Sequence, residues 1–115
     1  MSDYTYDAVV RAVHDGDTIT VDCDLGFNQW VHGMKLRLYG INSPELNTPA
    51  GKTAQAFLAQ QLPAGAKVEI RTVIDKQEKY GRILATVLKG GVDLNALMCA
   101  SGNAKPYFGV GPKPV

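Results

Sequence analysis

The sequence predicts a small, mainly β fold: a five-stranded Greek-key barrel accompanied by two helices. Three observations support this prediction. Five runs alternate between apolar and polar residues, which is the period of a strand with one buried face. Short stretches rich in Gly, Asp and Pro separate these runs. Helical spacing of apolar residues occurs twice, once after the third strand and once after the fifth.

Length and composition restrict the class of protein. With 115 residues, of which 45% are hydrophobic, the chain is predicted to form one globular domain over 1–115. A formal net charge of +1 does not indicate a nucleic-acid partner, so any such partner must meet a local basic patch. Neither a membrane span nor a secretory signal is visible. We expect a cytoplasmic protein with no membrane partner, with export by another route left open, and a monomer is the favoured oligomeric state.

The first three strands are predicted to form an antiparallel meander. The first covers 5–13, and the Asp-Gly pair in the turn after it favours a primed hairpin turn. The second covers 18–23 with strict alternation of apolar and polar residues. Residues 24–29 are predicted to form a loop, and the third strand covers 30–39.

The second half is predicted to alternate between helices and strands. Residues 51–62 have helical spacing and end before a proline. Strands over 67–74 and 82–88 flank a charged loop, and a shorter helix over 92–101 follows. Residues 103–115 are rich in Pro and Gly and are predicted to form an irregular C-terminal tail. This order of elements favours a barrel of the oligonucleotide-binding (OB) type.

The end of the third strand concentrates the polar chemistry of the chain. Arg37 lies on the face opposite two leucines, and the turn after it carries Asn42, Ser43 and Glu45 within four residues. A strand that delivers a guanidinium beside several oxygen-bearing side chains is suited to hold an anion next to a metal ion.

Three motifs together resemble the staphylococcal nuclease, or thermonuclease-like, family. They are Asp15-Gly16-Asp17-Thr18, the run RLYGINSPE from Arg37 to Glu45, and Lys79-Tyr80-Gly81-Arg82. They occur in the family's order, and the resemblance extends over about residues 9–107. It implies an OB-type barrel and calcium-dependent hydrolysis of DNA and RNA phosphodiesters with low sequence specificity, leaving 3′-phosphate ends.

The resemblance assigns the metal site to Asp17, Asn42 and the main-chain carbonyl of Ser43, with Asp15 as a second charge nearby. These are oxygen ligands of the kind that Ca²⁺ prefers, but three of them fall short of its usual number of roughly 6–8. Water and substrate phosphate would therefore complete the coordination. The best-known family member has Asp at the position of Asn42. Because an amide brings no negative charge, we expect weaker Ca²⁺ binding here, and other divalent metals stay possible.

Two arginines are the candidate phosphate clamps. The guanidinium groups of Arg37 and Arg82 can each present two parallel donors to two phosphoryl oxygens, a geometry that lysine does not reproduce. Glu45 is the candidate general base, or the group that orients the attacking water.

Three further residues are expected to hold the DNA or RNA substrate: Lys79, Tyr80 and Tyr107. The first two would contact phosphate, and the ring of Tyr107 would stack on a base, with Phe108 as the competing choice. An alternative function is a non-catalytic nucleic-acid-binding OB module with a weakened metal site. A site that has lost catalysis need not keep Asp17, Arg37, Glu45 and Arg82 together. The presence of all four therefore favours the enzyme.

Overall fold

The computed structural model describes residues 4–77 and 82–107, with the backbone alone for 73–77. Along the chain the elements are β1 (Thr5–Asp15), β2 (Thr18–Gly26), β3 (Gln29–Leu38), β4 (Ile41–Asn42), α1 (Pro49–Gln61), β5 (Lys67–Gln77), β6 (Ile83–Lys89), β7 (Val92–Asp93), α2 (Leu94–Ala100) and β8 (Lys105–Pro106).

Five of these strands close into a barrel. β1, β2 and β3 form an antiparallel meander, β5 pairs with β1, and β6 pairs with β5. β6 then pairs in parallel with β3, where Leu36 faces Ile83 and Leu38 faces Ala85. This pairing closes the sheet, so no open edge is left between β3 and β6. The predicted five-stranded OB-type barrel with two helices is confirmed.

The interior of the barrel is filled by the apolar face of each strand. Side chains of Val10, Ile19, Val21 and Leu36 are fully buried there. The apolar positions in the alternating pattern that predicted the strands are therefore the positions that are buried. Both helices add to the same core, with Ala54, Leu58 and Leu62 at α1 and Leu94 and Met98 from α2.

Side-chain caps fix where the two helices begin. The Thr48 hydroxyl accepts a hydrogen bond from the Gly51 N–H (3.0 Å), which caps α1. The Asp93 carboxylate accepts one from the Ala96 N–H (3.0 Å), so α2 begins at Leu94, two residues later than the spacing predicted. In the ranges 4–77 and 82–107, neither helix has the length and apolar character needed to cross a membrane.

The predicted loop over 24–29 is wrong. β2 continues to Gly26 and β3 begins at Gln29, which leaves only Phe27 and Asn28 as the turn. Both turn residues have positive φ (56° and 59°), as a two-residue primed turn requires. The result is a longer β2–β3 hairpin than the sequence predicts.

Three short strands were not predicted. β4 interrupts the turn after β3 and pairs with β8, where Asn42 faces Lys105. This pairing gives part of the predicted irregular tail a regular backbone and ties it to the residues that follow β3. Residues 108–115 lie outside the described part of the chain.

Candidate active site

Six of the predicted site residues line a single polar cavity. The cavity has a volume of about 140 Å³ and lies at the end of the barrel where β2 begins and β3 ends. It is lined by Asp17, Arg37, Asn42, Ser43, Glu45 and Arg82, together with Asp15 and Pro44.

Asp17 connects the elements that surround the cavity. Its side chain is nearly buried, and one carboxylate oxygen, Oδ2, lies 3.1 Å from Arg37 Nη1 and accepts a hydrogen bond from the Ser43 N–H at 3.0 Å. The other oxygen, Oδ1, accepts a hydrogen bond from the Thr18 hydroxyl at 3.2 Å. One carboxylate thereby joins the start of β2, the end of β3 and the segment after β4.

Arg37 bridges two of the predicted metal ligands. While its Nη1 contacts Asp17, its Nη2 donates to Asn42 Oδ1 at 3.4 Å, and Nη1 also donates to the Leu38 carbonyl at 3.3 Å. The planar guanidinium allows these contacts at once and leaves its orientation little freedom. Asn42 therefore presents its carbonyl oxygen, and not its amide nitrogen, toward the cavity side of Arg37.

Arg82 reaches the cavity from the neighbouring strand. It directly precedes β6, whose parallel pairing with β3 sets Ile83 opposite Leu36, and its side chain lines the same cavity as that of Arg37. Its Nη1 donates to the Thr18 hydroxyl at 3.2 Å, and that hydroxyl in turn donates to Asp17. Thr18 is a residue that the sequence argument did not single out, although it belongs to the first motif; its role depends on barrel closure.

The two aspartates of the first motif have opposite pKa shifts. Burial raises the pKa of Asp15, and the neighbouring Asp17 carboxylate raises it further. Burial by itself would also raise the pKa of Asp17, but the Asp15 carboxyl, the Arg37 guanidinium and the Ser43 N–H together hold it below its ordinary value. Of these two aspartates, Asp17 is thus the one that keeps its negative charge to the lower pH.

Glu45 is held at the cavity rim by the start of α1. Its main-chain carbonyl accepts hydrogen bonds from both the N–H (3.0 Å) and the hydroxyl (2.6 Å) of Thr48, while its side chain is exposed. Gly51 packs so closely beneath this loop that an added Cβ would overlap the Glu45 carbonyl group. The position of Glu45 therefore depends on a glycine that the sequence argument did not identify.

A second glycine, Gly16, allows a similarly close approach to Ser43. A Cβ at Gly16 would lie 2.6 Å from Ser43 Cβ and 2.9 Å from Ala54 Cβ. Because Gly16 belongs to the first motif, the motif predicted its presence but not this close approach.

Of the remaining predicted site residues, Tyr107 is the one that the structure describes, and it is not part of the cavity lining. Tyr107 is half-buried, and its N–H donates to the Gly40 carbonyl at 2.8 Å, which places it at the same end of the barrel but outside the lining. Lys79 and Tyr80 lie outside the described residues.

The ligands offered to a cation are a mixed set of oxygens. In the part of the chain that the structure describes, no group of three or more His, Cys, Asp or Glu side chains is placed to hold a metal ion. The cavity instead combines the carboxyl groups of Asp15, Asp17 and Glu45 with the side chain of Asn42 and a backbone segment at Ser43.

Comparison with known proteins identifies the family of the chain. The model of the staphylococcal nuclease homologue family matches residues 35–114, which is 80 of the 115 residues. The chain belongs to the staphylococcal nuclease homologue family. This confirms the resemblance that the three sequence motifs predicted.

Individual relatives have related names and greater lengths. The chain is 39% identical over 108 residues to a thermonuclease of Staphylococcus hyicus and 34% identical over 106 residues to a thermonuclease of Staphylococcus intermedius. These alignments cover 87% of the chain but 58% and 59% of the two relatives. A third relative, the endonuclease YhcR of Bacillus subtilis (strain 168), is 28% identical over 115 residues, which is 9% of its length.

Proposed function

We propose that this chain is a nuclease that hydrolyses phosphodiester bonds of DNA or RNA with the help of a divalent cation. The observation that carries the proposal is the shared cavity: two guanidinium groups, a charged carboxylate and a second carboxylate at the rim converge on about 140 Å³. Such a volume suits a phosphate group with an ion and water. The family's relatives, named as thermonucleases and an endonuclease, support the same reaction class.

The residues present fit a hard cation such as Ca²⁺ in donor chemistry. Asp17, Asn42 and the carbonyl of Ser43 would hold it, since carboxylate, amide and carbonyl oxygens are the donors that Ca²⁺ takes. Asn42 Oδ1 and Asp17 Oδ2 already accept hydrogen bonds from one cationic group, Arg37, so this pair of oxygens is arranged around positive charge. A bound cation would supply further positive charge to the phosphoryl oxygens.

The chain's own residues account for the steps of hydrolysis. Glu45 accepts a proton from the attacking water, whose oxygen forms a bond to phosphorus. The bond from phosphorus to the 5′-oxygen breaks, and that oxygen takes a proton from solvent water and leaves as a hydroxyl, which keeps the phosphate on the 3′ end. Arg37 and Arg82 donate to the phosphoryl oxygens, and these contacts strengthen as charge develops in the transition state.

Plasmid degradation tests the proposal. We expect cleavage with Ca²⁺ or another divalent cation, none with EDTA, and products that end in a 3′-phosphate. Glu45→Ala and Arg82→Ala should lower turnover sharply while circular dichroism shows an unchanged fold. If both variants cleave as fast as the wild type, the assignment is wrong.

The same experiment, together with a gel-shift assay, distinguishes the nuclease from the alternative function, a non-catalytic binding module. The amide of Asn42 leaves the cation site with less negative charge, which favours a binding module that has lost catalysis. Such a module would retain single-stranded or duplex nucleic acid in a gel-shift assay and would show no cleavage at any concentration of divalent cation.

A further inference from the structure

One face of the β2–β3 hairpin continues from the cavity to the far turn. Along β2, Ile19, Val21 and Cys23 are buried in the barrel, so the residues between them face outward. Residues directly opposed in antiparallel strands project on the same side of the sheet. The opposed pairs on the outward side are Thr18 with Arg37, Thr20 with Lys35 and Asp24 with Trp30.

Arg37, Lys35 and Trp30 therefore share one surface, which we call the outer hairpin face. Seven residues separate Arg37 at the cavity from Trp30 near the turn, and the rise of a strand makes this roughly 20 Å. This distance exceeds the length of one nucleotide, so a nucleic-acid strand held at the cavity must be several nucleotides long to reach Trp30 as well.

Two exposed cationic side chains and one histidine lie along the outer hairpin face between the cavity and Trp30. Lys35 is exposed, and so are Arg11 on the adjoining strand and His32. The one carboxylate among them, Asp22, is already engaged: it lies 3.5 Å from Arg11 Nε and 3.3 Å from His32 Nδ1, and it accepts from the Gly33 N–H at 3.0 Å. Lys35 and Arg11 carry two positive charges against the one carboxylate of Asp22, so the middle of the face keeps a net positive charge that can meet a phosphate backbone.

Trp30 marks the far end of this face. Its ring is 44% exposed and lies parallel to the His32 ring, with an interplanar angle of 7° and a centroid separation of 6.2 Å. An aromatic ring held in place by a second ring is a pre-ordered surface, so a planar ligand stacked on it costs little conformational entropy.

Acidic residues lie beside Trp30 and on the strands next to it. Asp24 is its cross-strand partner, Asp7 faces Asp24, and Glu69 faces Asp7 on the next strand. A row of carboxylates repels a phosphate backbone. A bound strand would therefore follow the cations from the cavity and end at Trp30.

We propose that the outer hairpin face binds the part of a single-stranded nucleic acid that continues beyond the cleaved phosphate. Lys35, with Arg11 and His32, contacts its backbone, and one unpaired base stacks on Trp30. The proposal rests on the nuclease function given above and extends it to a preference for substrates that have unpaired bases on one side of the scissile bond.

The single tryptophan of the chain makes a direct test possible. In EDTA, which prevents cleavage, a single-stranded oligothymidylate of about 12 nucleotides, within the range that one OB-fold covers, should quench tryptophan fluorescence saturably. A dinucleotide, too short to extend from the cavity to Trp30, should not quench. Duplex DNA of the same length should quench less than the single strand, because its bases are already stacked.

Variants identify the contacts. Trp30→Ala and Trp30→Phe lack the single tryptophan, so their binding is measured by the anisotropy of a dye-labelled oligothymidylate. Trp30→Ala should weaken binding by about 5- to 150-fold, and Trp30→Phe should retain most of the affinity, since stacking needs only an aromatic ring. Lys35→Gln should lower the slope of log affinity against log salt by about 0.7, the value of one phosphate contact to a single strand. Arg71→Gln removes an exposed cation from β5, outside the face, and should leave the slope unchanged.

The outcomes separate this proposal from the function on which it rests. Cleavage with divalent cation but no quenching by the long single strand would overturn the outer hairpin face and leave the nuclease intact. Equal quenching by the dinucleotide, or equal effects of Lys35→Gln and Arg71→Gln, would also overturn it. Length-dependent quenching without any cleavage would support the binding face and contradict the nuclease function.

Discussion

The two ends of the β2–β3 hairpin use their residues in opposite ways. At the cavity, Asp17 is 7% exposed and its carboxylate has partners on three elements. At the turn, Phe27 is 98% exposed, and Leu25 and Val31 beside it are exposed as well. Buried polar groups must be paired to be tolerated, whereas exposed apolar side chains contribute little to folding. Substitutions should therefore affect stability and activity at the cavity end, and leave stability nearly unchanged at the turn end.

The largest expected effect is on catalysis at the cavity. Arg37→Lys keeps the charge beside Asp17 but loses the forked donor geometry, so kcat should fall by about 10²- to 10³-fold, the usual result of removing one donor to a developing anion. Steady-state cleavage of a fluorescent oligonucleotide measures it. Arg71→Lys, the same change at an exposed site on β5, should have no effect. A kcat for Arg37→Lys within twofold of the wild type would remove Arg37 from the reaction.

The next largest effect is expected on the stability of the fold. Asp17→Asn leaves the Arg37 guanidinium without its carboxylate in a largely buried place, and the free energy of unfolding should fall by about 3 kcal/mol. Urea denaturation in EDTA measures this without any contribution from a bound cation. Asp7→Asn, at an exposed carboxylate of β1, is the control and should be nearly neutral.

The destabilisation by Asp17→Asn should depend on pH. The pKa of Asp17 in the folded protein lies below its ordinary value of 3.8, so its pairing stabilises the protein above that pH. As pH falls through the lower folded pKa, the carboxylate gains a proton and the difference between wild type and variant should disappear. A difference that is constant from neutral pH down to acid unfolding would show that the charge of Asp17 does not stabilise the fold.

A smaller effect is expected from a glycine beneath Glu45. Gly51→Ala would ordinarily stabilise a helix interior by roughly 1 kcal/mol. Here the added Cβ overlaps the Glu45 carbonyl group, so we expect a loss of about 1–3 kcal/mol and a displaced Glu45 loop. Thermal unfolding gives the sign, and Lys52→Ala, the exposed next residue of α1, is the control. Stabilisation by Gly51→Ala would contradict the close packing.

The smallest effect, with the opposite sign, is expected at the hairpin turn. Phe27 has a φ of 56°, a conformation that asparagine tolerates far better than phenylalanine. Phe27→Asn should therefore raise the free energy of unfolding by up to about 1 kcal/mol. Chemical denaturation measures the change. A loss of stability would show that the exposed Phe27 ring makes contacts that hold the barrel together.

The same comparison shows what the sequence could predict. The cavity was predictable because Arg37, Asn42, Ser43 and Glu45 are close in sequence, and the Asp-Gly-Asp-Thr motif supplied the aspartate. The contact between Arg82 and Thr18 was not predictable from the sequence. It depends on the parallel pairing of β6 with β3, which forms only when the barrel closes. The cation site and the catalytic roles stay predictions.

The hairpin turn was predicted wrongly for a local reason. Glycine and asparagine between 24 and 29 are typical of a loop, and the pattern does not show that two consecutive residues adopt positive φ. With Phe27 and Asn28 in that conformation, the turn needs only two residues and both strands lengthen. The predicted third strand already included Trp30, so the shorter turn adds only Gln29 to that strand and extends β2 to Gly26.

The central claim is that Arg37 and Arg82 act on the same phosphate beside Asp17. An NMR titration of the ¹⁵N-labelled chain with a mononucleotide and Ca²⁺ tests it, with the side-chain Nε–Hε signals of the two arginines as the readout. Both signals should shift together and saturate at one nucleotide concentration, and Asp17→Asn should weaken both responses equally. A shift of one arginine alone, or saturation at two different concentrations, would contradict a common site.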